Sequence, residues 1–169
     1  MNEKLINQAF LFTAKHFDKG CHNNNKPVYF HSIKVAMLLF EYGYNETIVV
    51  GAILHDLLED TKATKADISL EFGEETAKLV EALSFSAEIE DRFLQSKAMI
   101  DKTREYGKEA CIIKCADLFE NGKYFHLVTN QETKNYLIKK WNYFVNICEP
   151  ILKDEKIFAL LKKQVAKMK

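Results

Sequence analysis

His55-Asp56 closes a run, Ile48-Val49-Val50-Gly51-Ala52-Ile53-Leu54, that carries no polar side chain, and Leu57-Leu58-Glu59-Asp60 follows at once. A histidine and three acids at the end of so apolar a stretch need a partner, because an uncompensated buried charge costs several kcal/mol. His55 and Glu59 stand four apart, as do Asp56 and Asp60, so on a helix they form two neighbouring polar rows. Asp117 repeats the puzzle, an acid set between Cys111-Ile112-Ile113 and Leu118-Phe119. His31, between Phe30 and Ile33, is a third polar group in apolar surroundings. Taken one at a time, His31 reads as a satisfied helix residue, Asp117 as the ion-pair partner of a lysine, and His-Asp as a chance neighbour pair. Together, in this order, they read as ligands that three apolar segments bring inward. Imidazoles plus carboxylates suit manganese, iron, zinc or magnesium. A divalent ion in such a site activates water against a phosphate ester, and Glu59 or Asp60 is placed to take the proton or orient the water.

The elements that must position these groups are helical throughout. Ile6, Phe10, Thr13 and Phe17 recur at helical spacing, and a polar loop, Gly20 to Pro27, follows. A second helix is expected from about Tyr29 to Glu41, with Ile33, Ala36, Met37 and Phe40 inward. Tyr42-Gly43-Tyr44 ends it and Asn45 caps the next. That third helix, apolar on every side, should be buried and central. Thr64 and Asp67 have capping-box spacing for a short fourth helix ended by Gly73, and Glu74 and Glu75 suit the first turn of a fifth. Further helices are expected at roughly 89–106, 109–128, 134–148 and 154–167, the third of these burying Leu137, Trp141, Phe144 and Cys148. No strand pattern and no dividing linker is visible. The expectation is all-α: one compact multi-helix bundle over residues 1–169, with helices from 131–169 packed on it.

These residues resemble a family. His31, His55-Asp56 and Asp117 stand in the order of the HD metal-dependent phosphohydrolases. The chain is similar, over roughly residues 5 to 150, to the hydrolase domain of RelA/SpoT-type alarmone enzymes, including the small stand-alone members. Their HDxxEDT signature stands here as His55-Asp56-Leu57-Leu58-Glu59-Asp60-Thr61, and their KLADRLHN pattern as Lys114-Cys115-Ala116-Asp117-Leu118-Phe119-Glu120-Asn121. The similarity also takes in Ala66-Asp67, Phe72-Gly73 and Leu79-Val80-Glu81-Ala82-Leu83-Ser84. The resemblance implies that His31, His55, Asp56 and Asp117 hold one metal, usually manganese. It further implies that Glu59 and Asp60 activate or steer the water, and that pyrophosphate leaves the 3′ position of guanosine tetra- or pentaphosphate. Asn121 matches a substrate-contacting asparagine, and Lys123 falls where the family often has an arginine. No histidine lies between Asp56 and Asp117, unlike HD proteins with two-metal sites, so one metal is expected.

The chain also departs from the family pattern. The loop that commonly reads RKSGEPY is here His22-Asn23-Asn24-Asn25-Lys26-Pro27-Val28; Leu118 replaces an arginine, and Glu120 a histidine or tyrosine. Asn23 and Asn24 can hydrogen-bond a base edge or ribose but offer no cation. Lys26 and Lys123 remain as cations for a polyphosphate. Weaker base discrimination is therefore expected. Two other readings stay open: an HD phosphohydrolase of another nucleotide, such as a 5′-nucleotidase, and a non-catalytic nucleotide-sensing module.

Composition excludes other classes. Lysine plus arginine equals aspartate plus glutamate, 24 of each, whereas a general nucleic-acid binder carries a basic excess. No apolar run approaches the ~20 residues that span a bilayer, and the opening MNEKLINQAF is too polar for a signal peptide. Cys111 and Cys115 lie in an apolar stretch and read as core hydrophobes rather than zinc ligands. Four free thiols in a reducing, cytoplasmic setting are expected. Oligomeric state is not legible.

Overall fold

The computed structural model describes residues 2–17, 22–23, 26–85 and 89–168, the side chains of 22–23 and 26–27 excepted. The chain forms two compact units, one ending at Ser84 and the other beginning at Phe85.

The first unit is built around an apolar rod. α3 (Glu46–Leu54) buries every residue from Ile48 to Leu54, and the Asn45 side chain caps it by accepting from the Ile48 amide at 3.0 Å. Such a helix has no solvent face and must be enclosed. It is packed by α1 (Glu3–His16), α2 (Val28–Glu41) and α6 (Glu74–Leu83). Each fully buried valine, leucine or isoleucine contributes roughly 1.5–3 kcal/mol, so α3 is the most strongly fixed element of this half. The Thr13 hydroxyl of α1 donates to the Ile53 carbonyl at 3.5 Å. α5 (Lys65–Phe72) carries the expected capping box, with Thr64 and Asp67 bonded reciprocally, and Gly73 ends it at φ 85. That left-handed φ admits glycine without a Cβ penalty.

Two expectations are corrected here. Met37 and Phe40 are 42% and 41% exposed rather than inward. The buried stripe of α2 runs through Val28, His31, Ser32, Val35, Ala36 and Leu39 instead, rotated from the expected face so that polar His31 and Ser32 lie inside. The polar loop is not wholly irregular: β1 (His22–Asn23) pairs antiparallel with β2 (Lys26–Pro27).

The second unit repeats the plan. α8 (Lys108–Gly122) is buried almost continuously from Ala110 to Leu118, and α7 (Arg92–Tyr106), α9 (Gln131–Leu152) and α10 (Lys156–Val165) pack against it. α9 buries Trp141, Phe144, Cys148 and Leu152, and α10 buries Ile157, Phe158, Leu161 and Val165. α8 is shorter than its apolar pattern. After Gly122 the amides of Lys123 and Tyr124 bond three residues back, and a 3-10 turn at Phe125–Leu127 follows. Gly122 is placed where a Cβ would collide with the Gln164 side chain of α10, so α8 and α10 approach closely there. α9, expected to stop at Cys148 before Pro150, continues to Leu152. A proline near a helix end forfeits one backbone bond, and burial of Leu152 offsets that loss. The described cysteines are free and buried. Cys111 donates to the Thr103 carbonyl at 3.8 Å and burial pushes the Cys115 thiol well up, which suits core packing. Cys21 lies outside the described residues. No described helix is long and apolar enough to cross a membrane.

Candidate active site

In the first unit, α2 and the end of α3 carry three of the expected ligands. His31 sits in the first turn of α2 and is 2% exposed; His55 caps α3 at its C-terminus, also 2% exposed. Their rings lie 5.6 Å apart, inclined by 62°, and each offers a ring nitrogen within 4.8 Å of the other's. The helix does not run on through the motif. α3 stops at Leu54, His55 and Asp56 form a turn, and α4 (Leu57–Asp60) resumes with the Glu59 and Asp60 amides bonded to the Asp56 carbonyl. Thr61 closes α4 by donating to the Leu57 carbonyl at 2.7 Å.

The orientation of His55 is fixed by the backbone. Its Nδ1 lies 2.7 Å from the Ala52 carbonyl oxygen. A carbonyl only accepts, so Nδ1 carries the proton, and in the neutral ring Nε2 keeps its lone pair. Metal-ligating histidines are held this way by a carbonyl or carboxylate behind them. That Nε2 lies 3.0 Å from Oδ1 of Asp56. A proton on Nε2, or a metal ion bound by both atoms, satisfies this contact. Adjacent ligands at right angles on a divalent ion, with bonds of about 2.1 Å, lie about 3 Å apart, so the donor set fits such an ion. The other Asp56 oxygen, Oδ2, lies 3.5 Å from the Ser32 hydroxyl, a long hydrogen bond. Glu59 is exposed and Asp60 half-buried, both within a turn of Asp56.

In the second unit, Asp117 lies on α8 at 4% exposure. Its Oδ1 accepts from the Asn121 side chain at 2.5 Å, and its Oδ2 lies 2.9 Å from the Lys114 ammonium. Asn121, expected to contact substrate, thus orients Asp117. Lys123 is paired with the carboxylate of Glu120, which is 1% exposed, so meeting a phosphate would require it to leave that acid. His126 is exposed and donates from Nδ1 to the Lys123 carbonyl. Asn24 lies outside the described residues, as do the side chains of Asn23 and Lys26.

Sequence reasoning missed Ser32 and Lys114. Ser32 gives no signal beyond its place next to His31. Lys114 is three residues before Asp117 on one helix, the spacing of an ion pair, and the lysine partner considered for Asp117 is this one.

All of these features belong to a helical scaffold that carries buried imidazoles and carboxylates. The sequence profile of the HD domain matches residues 9–125, and the chain belongs to the HD domain family. It is 29% identical over 132 residues to a guanosine-3′,5′-bis(diphosphate) 3′-pyrophosphohydrolase of Aquifex aeolicus, a match covering 76% of this chain and 19% of that protein. It is 34% identical over 84 residues to the GTP pyrophosphokinase rsh of Brucella ovis, covering 50% of this chain and 11% of that one. The chain therefore spans about a tenth to a fifth of the length of these curated relatives. Among solved structures, a metazoan ortholog of SpoT, described as hydrolysing ppGpp, superposes with a TM-score of 0.83 at 19% identity, covering 96% of this chain and 94% of its own. A protein of Listeria monocytogenes gives 0.74 at 24% identity, covering 84% and 97%. Both share the fold.

Proposed function

We propose that the chain is a metal-dependent phosphohydrolase that removes the 3′-pyrophosphate from guanosine tetra- and pentaphosphate. One divalent ion, manganese, would be held by His31, His55, Asp56 and Asp117. The observation that carries the reading is the buried His31–His55 pair, with His55 Nε2 aimed at Asp56 and its other nitrogen bound to the Ala52 carbonyl. The names of the Aquifex relative and of the SpoT ortholog support the substrate. The HD match runs across the boundary at Ser84–Phe85, which supports a single HD-type domain over 1–169.

When bound, the ion supplies Lewis-acid polarisation of a phosphoryl oxygen and a more acidic water. The chain's residues do the rest. Ala52 and Ser32 hold His55 and Asp56 in register. Asn121 holds Asp117. Glu59 and Asp60 accept or relay the proton of the attacking water. Lys123, released from Glu120, Lys26, Asn23 and Asn24 meet the nucleotide. The setting is a reducing cytoplasm, where the buried thiols stay free.

The test is a product screen with manganese-loaded protein. Guanosine tetraphosphate should yield pyrophosphate, and its adenosine analogue should compete detectably, because His22 and Asn23 stand where the family loop has arginine and lysine. That loop also supports the second reading, an HD nucleotidase. Phosphate released from simple 5′-monophosphates, with no pyrophosphate from the alarmone, would establish it instead.

A further inference from the structure

The metal reading leaves Lys114 without a role, yet it is the most deeply buried lysine among the described residues. It is 5% exposed, and its ammonium lies 2.9 Å from Oδ2 of Asp117. Both groups stand on α8, three residues apart, so the helix itself brings them within reach of each other. Removing either partner of a buried pair leaves an uncompensated charge, which costs more than the pair itself contributes. The same ammonium lies 5.9 Å from the centre of the Phe85 ring, and the Lys140 ammonium lies 5.4 Å from that ring. An aromatic face within about 6 Å attracts a cation, so the Phe85 ring is a second favourable contact for the Lys114 ammonium beside Asp117.

We infer that Lys114 is a built-in counter-ion for Asp117, and that metal binding exchanges one cation for the other. This rests on Asp117 being a metal ligand, as proposed above. Without metal, Lys114 neutralises the carboxylate and, with Asn121 on Oδ1, holds it in one orientation. With metal, the divalent charge takes over that role and repels the ammonium from Oδ2 of Asp117 toward the Phe85 ring. Lys114 is a positioning residue, and it sets metal affinity downward: the ion must displace a cation that is already in place.

The experiment titrates Mn2+ calorimetrically and follows thermal melting, with and without Mn2+, for the wild type, Lys114→Met, Asp117→Asn, the double variant and Lys114→Arg. Lys114→Met should melt lower than wild type in chelator, because Asp117 is left unpaired. It should bind Mn2+ roughly tenfold more tightly and gain more from it in melting temperature. The double variant should recover metal-free stability relative to Lys114→Met, since both charges are gone, and Lys114→Arg should stay near wild type in chelator. A Lys114→Met protein with wild-type Mn2+ affinity, while Asp117→Asn abolishes binding, overturns the exchange alone. A wild-type chain that binds no Mn2+, or an Asp117→Asn chain that binds it normally, overturns the metal reading and the exchange with it. A double variant no more stable than Lys114→Met removes the counter-ion role.

Discussion

Glu59→Gln and Asp60→Asn separate the chemistry from everything else the site does. Each keeps the side-chain shape and removes the capacity to hold a proton. Glu59 is exposed and Asp60 half-buried on α4, and substitutions at such positions usually change stability by no more than about 0.5 kcal/mol. At about 2–4 °C per kcal/mol for a chain of this size, melting should move by no more than about 2 °C. Neither residue is in the proposed metal ligand set, so manganese should stay at about one equivalent. Turnover should fall by about 10²- to 10⁴-fold, the usual worth of a positioned acid or base. At about 1.4 kcal/mol per decade, that is roughly 3–5 kcal/mol of barrier. The assay measures pyrophosphate release at saturating substrate, with metal content and melting curves on the same samples. Both variants turning over within threefold of wild type, metal retained, would refute the assignment of proton handling to α4. Loss of metal in either would refute the division between ligands and base.

Ser32→Ala removes the hydroxyl beside Oδ2 of Asp56. Groups that orient metal ligands are worth about 10- to 100-fold in affinity, and the 3.5 Å separation places this one at the low end, so calorimetry should show manganese binding weakened about tenfold. An unchanged dissociation constant would leave Ser32 as helix packing. In the second unit, burial raises the Asp101 pKa, but hydrogen bonds from Tyr143 at 2.5 Å and Lys97 at 3.0 Å carry it below its ordinary 3.8. A depressed carboxylate contributes stability above its unfolded pKa, and that stability is lost as pH falls through the folded value. Tyr143→Phe should therefore lower the melting temperature at pH 7, with the deficit shrinking below pH 3.8. A deficit that is the same at both ends would show that only packing was lost.

Much of this architecture was legible because single residues declare it. A run from Ile48 to Leu54 with no polar side chain must be buried, the Asn45 cap before it makes it a helix, and Asn45, the Thr64–Asp67 box and Gly73 mark helix ends by their local chemistry. The order His31, His55-Asp56, Asp117 pointed to the family that the HD match confirms. Other features had no such marker. The break at His55–Asp56 falls where neither glycine nor proline stands, and the four-residue spacing of the acids suits an unbroken helix equally well. The length of α8 was overestimated because Phe125 and Leu127 continue an apolar pattern past Gly122. The outward turn of Met37 and Phe40 depends on where α1 and α3 pack, and α2's own periodicity does not contain that information. Lys114 escaped notice because a lysine in an apolar stretch reads as a motif letter until its distance to Asp117 is known.

The central claim is that His31, His55, Asp56 and Asp117 together hold one catalytic divalent ion. A manganese-loaded crystal, measured with anomalous scattering at the manganese edge, tests it most directly. The account predicts one anomalous peak per chain, bonded to a nitrogen of each histidine and an oxygen of each aspartate at about 2.0–2.2 Å. A second peak beside the first, a peak that leaves out Asp117 or His31, or a fully soaked crystal with no peak there would contradict it.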